Sequence, residues 1–79
     1  MRLVDLRPGQ AGTLSAIDLP ERTAARLADL GFFPGSRVTA AWSAPGGDPR
    51  VYRIDGAEIA LRREMAIHLV VEAEEQVGV

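Results

Sequence analysis

At Gly31-Phe32-Phe33-Pro34-Gly35 the hydrophobic period changes from helical to alternating, and that change constrains the fold more than any other feature. Before it, Ala24, Leu27 and Leu30 recur at three-residue spacing and give one apolar helical face. Pro20 suits the first turn, where its missing N–H costs nothing, and Glu21 favours the dipole there. Gly31 is placed to end the helix in a left-handed cap, with Phe32 closing back over the last turn. After Gly35 the pattern alternates. Val38, Ala40 and Trp42 share one strand face opposite Arg37, Thr39 and Ala41; Tyr52 and Ile54 alternate with Val51, Arg53 and Asp55. Asp55-Gly56 reads as a tight hairpin turn into Ala57, Ile59 and Leu61.

The remaining pieces are short. Leu3 and Leu6 precede a Pro8-Gly9 turn, and Gly12 to Ile17 reads as a strand with Leu14 and Ala16 facing inward. Ala44 to Pro49 is a loop by composition. Arg62 to Ala66 suits a single helical turn, and Ile67, Leu69 and Val71 give a last strand. The expected fold is mostly β: about five short strands with one short α-helix between the first two. So small a sheet exposes its edges unless it curls, which favours a small β-barrel. With 79 residues there is room for one domain, expected over 1–73, followed by a frayed tail at 74–79.

Composition narrows function. There is no cysteine, which excludes disulfides, thiolate metal sites and thiol catalysis, and mildly favours the cytoplasm. Asp5 interrupts the N-terminus, so no signal peptide is expected, and no stretch approaches the roughly 18 apolar residues that span a bilayer. All nine basic residues are arginine, but the net charge is −2, which argues against a general nucleic-acid binder.

Three segments carry a resemblance. Arg26-Leu27-x-x-Leu30-Gly31-x-x-Pro34-Gly35 resembles the helix-and-turn signature of the FeoA family. Ala44-Pro45-x-Gly47-Asp48-Pro49 is similar to that family's central loop, and Gly56-x-x-Ile59-Ala60-Leu61-Arg62-x-x-x-Ala66-Ile67-x-x-Val70 to its closing hairpin and last strand. The resemblance runs in register from Leu3 to about Glu72. It implies an SH3-like barrel in the cytoplasm, working with FeoB, a membrane ferrous-iron transporter with a cytosolic GTP-binding domain. Related barrels end iron-dependent repressors, but no helix-turn-helix precedes the barrel in this sequence. The expected function is therefore an accessory of ferrous iron transport that binds and regulates a FeoB-type transporter, held at the inner membrane only through that partner. The alternative is a small nucleic-acid-binding barrel, since such barrels are reused for that purpose.

Chemistry-bearing residues are sparse. His68 is the only histidine and has no second soft ligand, so neither a metal nor a cofactor is expected. Asp48, Asp55 and Glu58 could pair as acid and base, but Asp48 and Asp55 sit beside turn residues, where carboxylates bond their own backbone. No nucleophile–base arrangement marks an enzyme. Partner contacts are expected instead at Arg26, Phe33, Trp42 and Arg62. The two arginines lie at positions matched to the family and could equally serve structural ion pairs. Phe33 and Trp42 depart from the family pattern. Trp42 reads either as a plug at the barrel's end or as an exposed anchor. Self-association is also compatible with the sequence. Leu27, Leu30, Ile59, Leu61 and Ile67 are expected in the core.

Overall fold

Five antiparallel strands form the frame of the chain in the computed structural model, which describes residues 1–75. In chain order they are β1 (Ala11–Ile17), helix α1 (Glu21–Asp29), β2 (Arg37–Ser43), β3 (Arg50–Ile54), β4 (Ala57–Leu61), the single turn α2 (Arg63–Ala66) and β5 (Leu69–Ala73). The strand order is β4-β3-β2-β1-β5. One face of this sheet supplies Leu14, Val38, Ala40, Tyr52, Ile54, Leu61, Leu69 and Val71 to a single buried cluster. A five-stranded sheet can bury that many apolar side chains on one face only by curling round them, so the sheet wraps its own core. Leu3 and Leu6 from an N-terminal 3₁₀ turn, Leu27 from α1, Phe32 and Ala66 complete the plug. The edges β4 and β5 are not paired with each other.

The end of α1 follows the physics expected of its glycine. The Phe32 N–H donates to Leu27 O at 2.9 Å and the Gly31 N–H to Ala28 O at 2.9 Å, the paired bonds of a Schellman cap. Gly31 has φ +106°, and a Cβ there would also meet Ile54 Cγ2 at 3.0 Å. Phe32 is driven into the core, where its ring meets Tyr52 edge-on at 6.4 Å.

Four inward assignments are corrected. Leu30 is 51% exposed: residues at i, i+3 and i+6 wind around a 3.6-residue helix, and Phe32 takes the core position instead. Ile67 is 39% exposed because the helical turn extends to it, its N–H donating to Arg63 O, and the strand begins only at Leu69. Ala16 and Trp42 face outward because each follows a β-bulge. The register shifts between Leu14 and Ala16 and again between Ala40 and Trp42. One extra residue reverses the parity of everything after it. Leu27 and Leu61 are buried, and Ile59 is half-buried against the core.

At Gly12 the strands approach more closely than a side chain allows. A Cβ there would lie 2.9 Å from Glu72 O and 3.4 Å from the Ala73 Cα on β5. Gly12→Ala is expected to destabilise by about 1–3 kcal/mol, because backbone on the neighbouring strand would have to move. The denaturant midpoint reads this directly, and an unchanged midpoint would show that β1 and β5 separate freely there. Glu74, at the start of the expected tail, donates its N–H to Ala11 O and pairs through its carboxylate with Arg37. The rest of that tail, 76–79, lies outside the described residues.

Candidate functional site

The outer face of β2–β3–β4 is organised in rows. The register aligns Trp42 with Val51 and Val51 with Ala60, one row running across three strands. The next row aligns Thr39, Arg53 and Glu58, with Arg53 Nε donating to Glu58 Oε2 at 2.9 Å. Trp42 is 54% exposed. Val51 between its neighbours is only 7% exposed, although it lies on the outer face.

Beside these rows the loop Gly31–Ser36 projects Phe33. Ser36, buried, donates its hydroxyl to Gly31 O at 2.7 Å and accepts from the Phe33 N–H at 3.3 Å. The loop is pinned to β1 by Gly35 N–H to Leu14 O and by Leu14 N–H to Ser36 O. So held, Phe33 is 49% exposed and borders an open groove of about 630 Å³, lined also by Arg37, Thr39, Arg53 and Ile54. Arg37 donates Nη2 to Glu74 Oε2 at 2.9 Å, and this hydrogen bond with its charge holds the Glu74 carboxyl below its ordinary value. Both partners are exposed, so the pair is screened and contributes little stability.

Three of the four residues expected to meet a partner thus share one side of the sheet. Trp42 lies on the outer face, Phe33 stands beside it at the rim of the groove, and Arg62 continues the face at the end of β4, exposed and extended with φ −69° and ψ 147°. Arg26 stands exposed on α1, away from these rows. Neither Arg26 nor Arg62 forms an ion pair among the described residues. Arg53 and Thr39 also line the groove, and their only sequence signal is alternation, Arg53 with Tyr52 and Ile54 and Thr39 with Val38 and Ala40. Asp48 corrects an expectation: its Oδ1 does not serve its own turn but accepts from the Arg63 N–H at 2.9 Å, capping α2 from fifteen residues away. Asp55 does adopt turn geometry, with φ +50°.

On the inner face, Tyr52 is fully buried and its hydroxyl has no hydrogen-bond partner among the described residues. Burial pushes its pKa above the ordinary 10.0, and the charge of nearby Arg50 offsets part of that rise. The fold therefore favours the neutral phenol. This contribution is fully present below the unfolded value and is lost as pH rises through the native one. Tyr52→Phe keeps the ring and removes an unpartnered hydroxyl. Its melting temperature is expected to equal or exceed that of the parent near neutrality, and to fall less steeply above pH 10.0. A large loss near neutrality would show that the hydroxyl is bonded in solution.

Among the described residues no three His, Cys, Asp or Glu side chains gather closely enough to hold a metal ion, and no helix is long and apolar enough to cross a membrane. What the outer face offers is contact area: two exposed aromatic rings, a groove and arginine forks. The model of the FeoA domain matches residues 1–73. The chain belongs to the FeoA family. A Porphyromonas gingivalis protein described as an Fe(2+) transport protein A/Fe(2+) transporter FeoB fusion is 33% identical over 72 residues, 91% of this chain. This chain spans only 8% of that fusion's length. The solution structure of iron(II) transport protein A from Clostridium thermocellum superposes with a TM-score of 0.87 at 32% identity, covering 92% of this chain and 45% of that one. Stenotrophomonas maltophilia FeoA, a prokaryotic SH3 domain protein solved with zinc, gives 0.76 at 32% identity over 91% and 89% of the two chains. The FeoA fold is thus a small SH3-like domain, mostly β, as the sequence resemblance implied, and the family is linked to ferrous iron transport.

Proposed function

We propose that this FeoA-family chain is a non-enzymatic accessory of ferrous iron transport that binds the cytosolic side of a FeoB-type transporter and regulates it. The observation that carries this reading is the fusion relative, in which a domain 33% identical to this chain is covalently joined to FeoB. Covalent linkage keeps two domains at millimolar effective concentration, which is useful where they must meet. Phe33 and Trp42 supply the exposed aromatic area that binding hot spots favour, and Arg62 supplies an exposed fork for a carboxylate or carbonyl. Arg26, on α1, is a second such fork. On this reading the chain works in the cytoplasm and reaches the inner membrane through its partner.

Calorimetric titration of the chain into the soluble cytosolic domain of the same organism's FeoB, in GDP and in a non-hydrolysable GTP analogue, tests the partner. Saturable binding is expected, and a difference between nucleotides would mark regulation of the switch. Binding in neither state, nor to the full-length transporter in detergent, would overturn the reading.

A further inference from the structure

The sheet has two edges, and only one is covered. Along β5 the Val71 N–H donates to Met1 O at 2.8 Å and Arg2 bridges Val70. Among the described residues β4 has no strand partner but β3. The turn between them is two residues long, with φ +50° at Asp55 and +82° at Gly56, and pairs Ile54 with Ala57. In such a hairpin Ile54:Ala57, Tyr52:Ile59 and Arg50:Leu61 are the hydrogen-bonded pairs. Glu58 and Ala60 therefore direct their N–H and C=O groups at the open edge. Arg62, still extended, directs its N–H the same way, and its carbonyl is already engaged by the Met65 and Ala66 amides.

We propose that β4 pairs antiparallel with β4 of a second copy of this chain, about a two-fold axis at Ala60. The charges and rows of the outer face select both occupant and register. Centred on Ala60, Glu58 of each copy faces Arg62 of the other, and the two Ala60 residues face each other. The row Trp42–Val51–Ala60 then continues through the axis into its symmetry mate, giving one apolar row across six strands. The neighbouring row becomes Arg53–Glu58 followed by Arg62 of the second copy, with the carboxylate between two guanidiniums. A register centred on Glu58 would oppose two carboxylates, and one centred on Ile59 would set Glu58 against Ala60 and break the apolar row. A self-complementary edge is what an isologous two-fold contact requires. The pairing uses four backbone hydrogen bonds, two between the Ala60 residues and two from Arg62 N–H to Glu58 O, so the dimer is weak and concentration-dependent.

Sedimentation equilibrium over a wide concentration range tests this. The parent chain is expected to show a monomer–dimer equilibrium. Glu58→Arg and Arg62→Glu are each expected to weaken it roughly ten-fold or more, since attraction becomes repulsion at two symmetric places. An equimolar mixture of the two variants is expected to recover parental association, because each reversed charge then meets its opposite. Both positions are exposed, so each variant is expected to fold, which circular dichroism checks. A parent that stays monomeric at the highest attainable concentration would overturn the proposal. So would single variants that associate as well as the parent, or a mixture that does not recover.

Discussion

Phe32→Ala is expected to lower stability by about 3–5 kcal/mol, whereas Phe33→Ala, one residue along, should shift it by about 0.5 kcal/mol or less. The two side chains are chemically identical and differ only in where the Schellman cap sends them. Gly31 turns the chain left-handed, Phe32 enters the core against Tyr52, and Phe33 emerges at the rim of the groove. A chain of this length has a total stability of about 4–12 kcal/mol, so losing Phe32 leaves it marginal or unfolded at ambient temperature. The cost exceeds simple transfer of a ring because the sheet curls around a small plug and cannot close the cavity left behind. Paired urea titrations check it. Equal midpoints for the two variants would contradict the packing described above.

Trp42→Ala has the opposite signature. Trp42 is exposed, and its truncation is expected to leave the melting temperature close to that of the parent. Its effect should appear in binding, as a loss of about 2 kcal/mol or more, roughly thirty-fold in affinity for the transporter's cytosolic domain. A tryptophan turned outward only by a bulge is costly to keep unless it meets something, since its ring offers a large apolar area to water. Calorimetry with the folded variant separates the two readings. Unaltered affinity would remove Trp42 from the interface, and a variant that unfolds would make it a structural plug.

These two residues also show how far the sequence could be read. Local geometry was legible wherever a short motif dictates it. The cap at Gly31-Phe32 needs only a glycine and a following apolar residue, and the Asp55-Gly56 hairpin only two residues that tolerate positive φ. The inward series Leu14, Val38, Ala40, Tyr52, Ile54 and Leu61 followed from alternation. Alternation fails after a bulge, and a bulge has no strong local signal; Ala40-Ala41-Trp42 reads as ordinary strand, yet its register slips by one. The same slip at Ser15 turns Ala16 outward. Contacts distant in sequence were beyond local pattern altogether, as Asp48 shows by capping α2, and Met1 by bonding to β5. The candidate surface was therefore legible as residues but not as a place. Phe33, Trp42 and Arg62 could be picked out by type. Only the register turns Trp42 and Arg62 to one side of the sheet, and only the bonds that hold the Gly31–Ser36 loop set Phe33 beside it.

The proposed service of this chain to a FeoB-type ferrous iron transporter can be tested in cells. Ferrous iron uptake would be measured in a strain lacking this chain but producing its transporter at the normal level. Uptake is expected to fall, supplying the chain is expected to restore it, and the Trp42→Ala variant is expected to restore it poorly. Undiminished uptake in the deletion strain would contradict the proposed service.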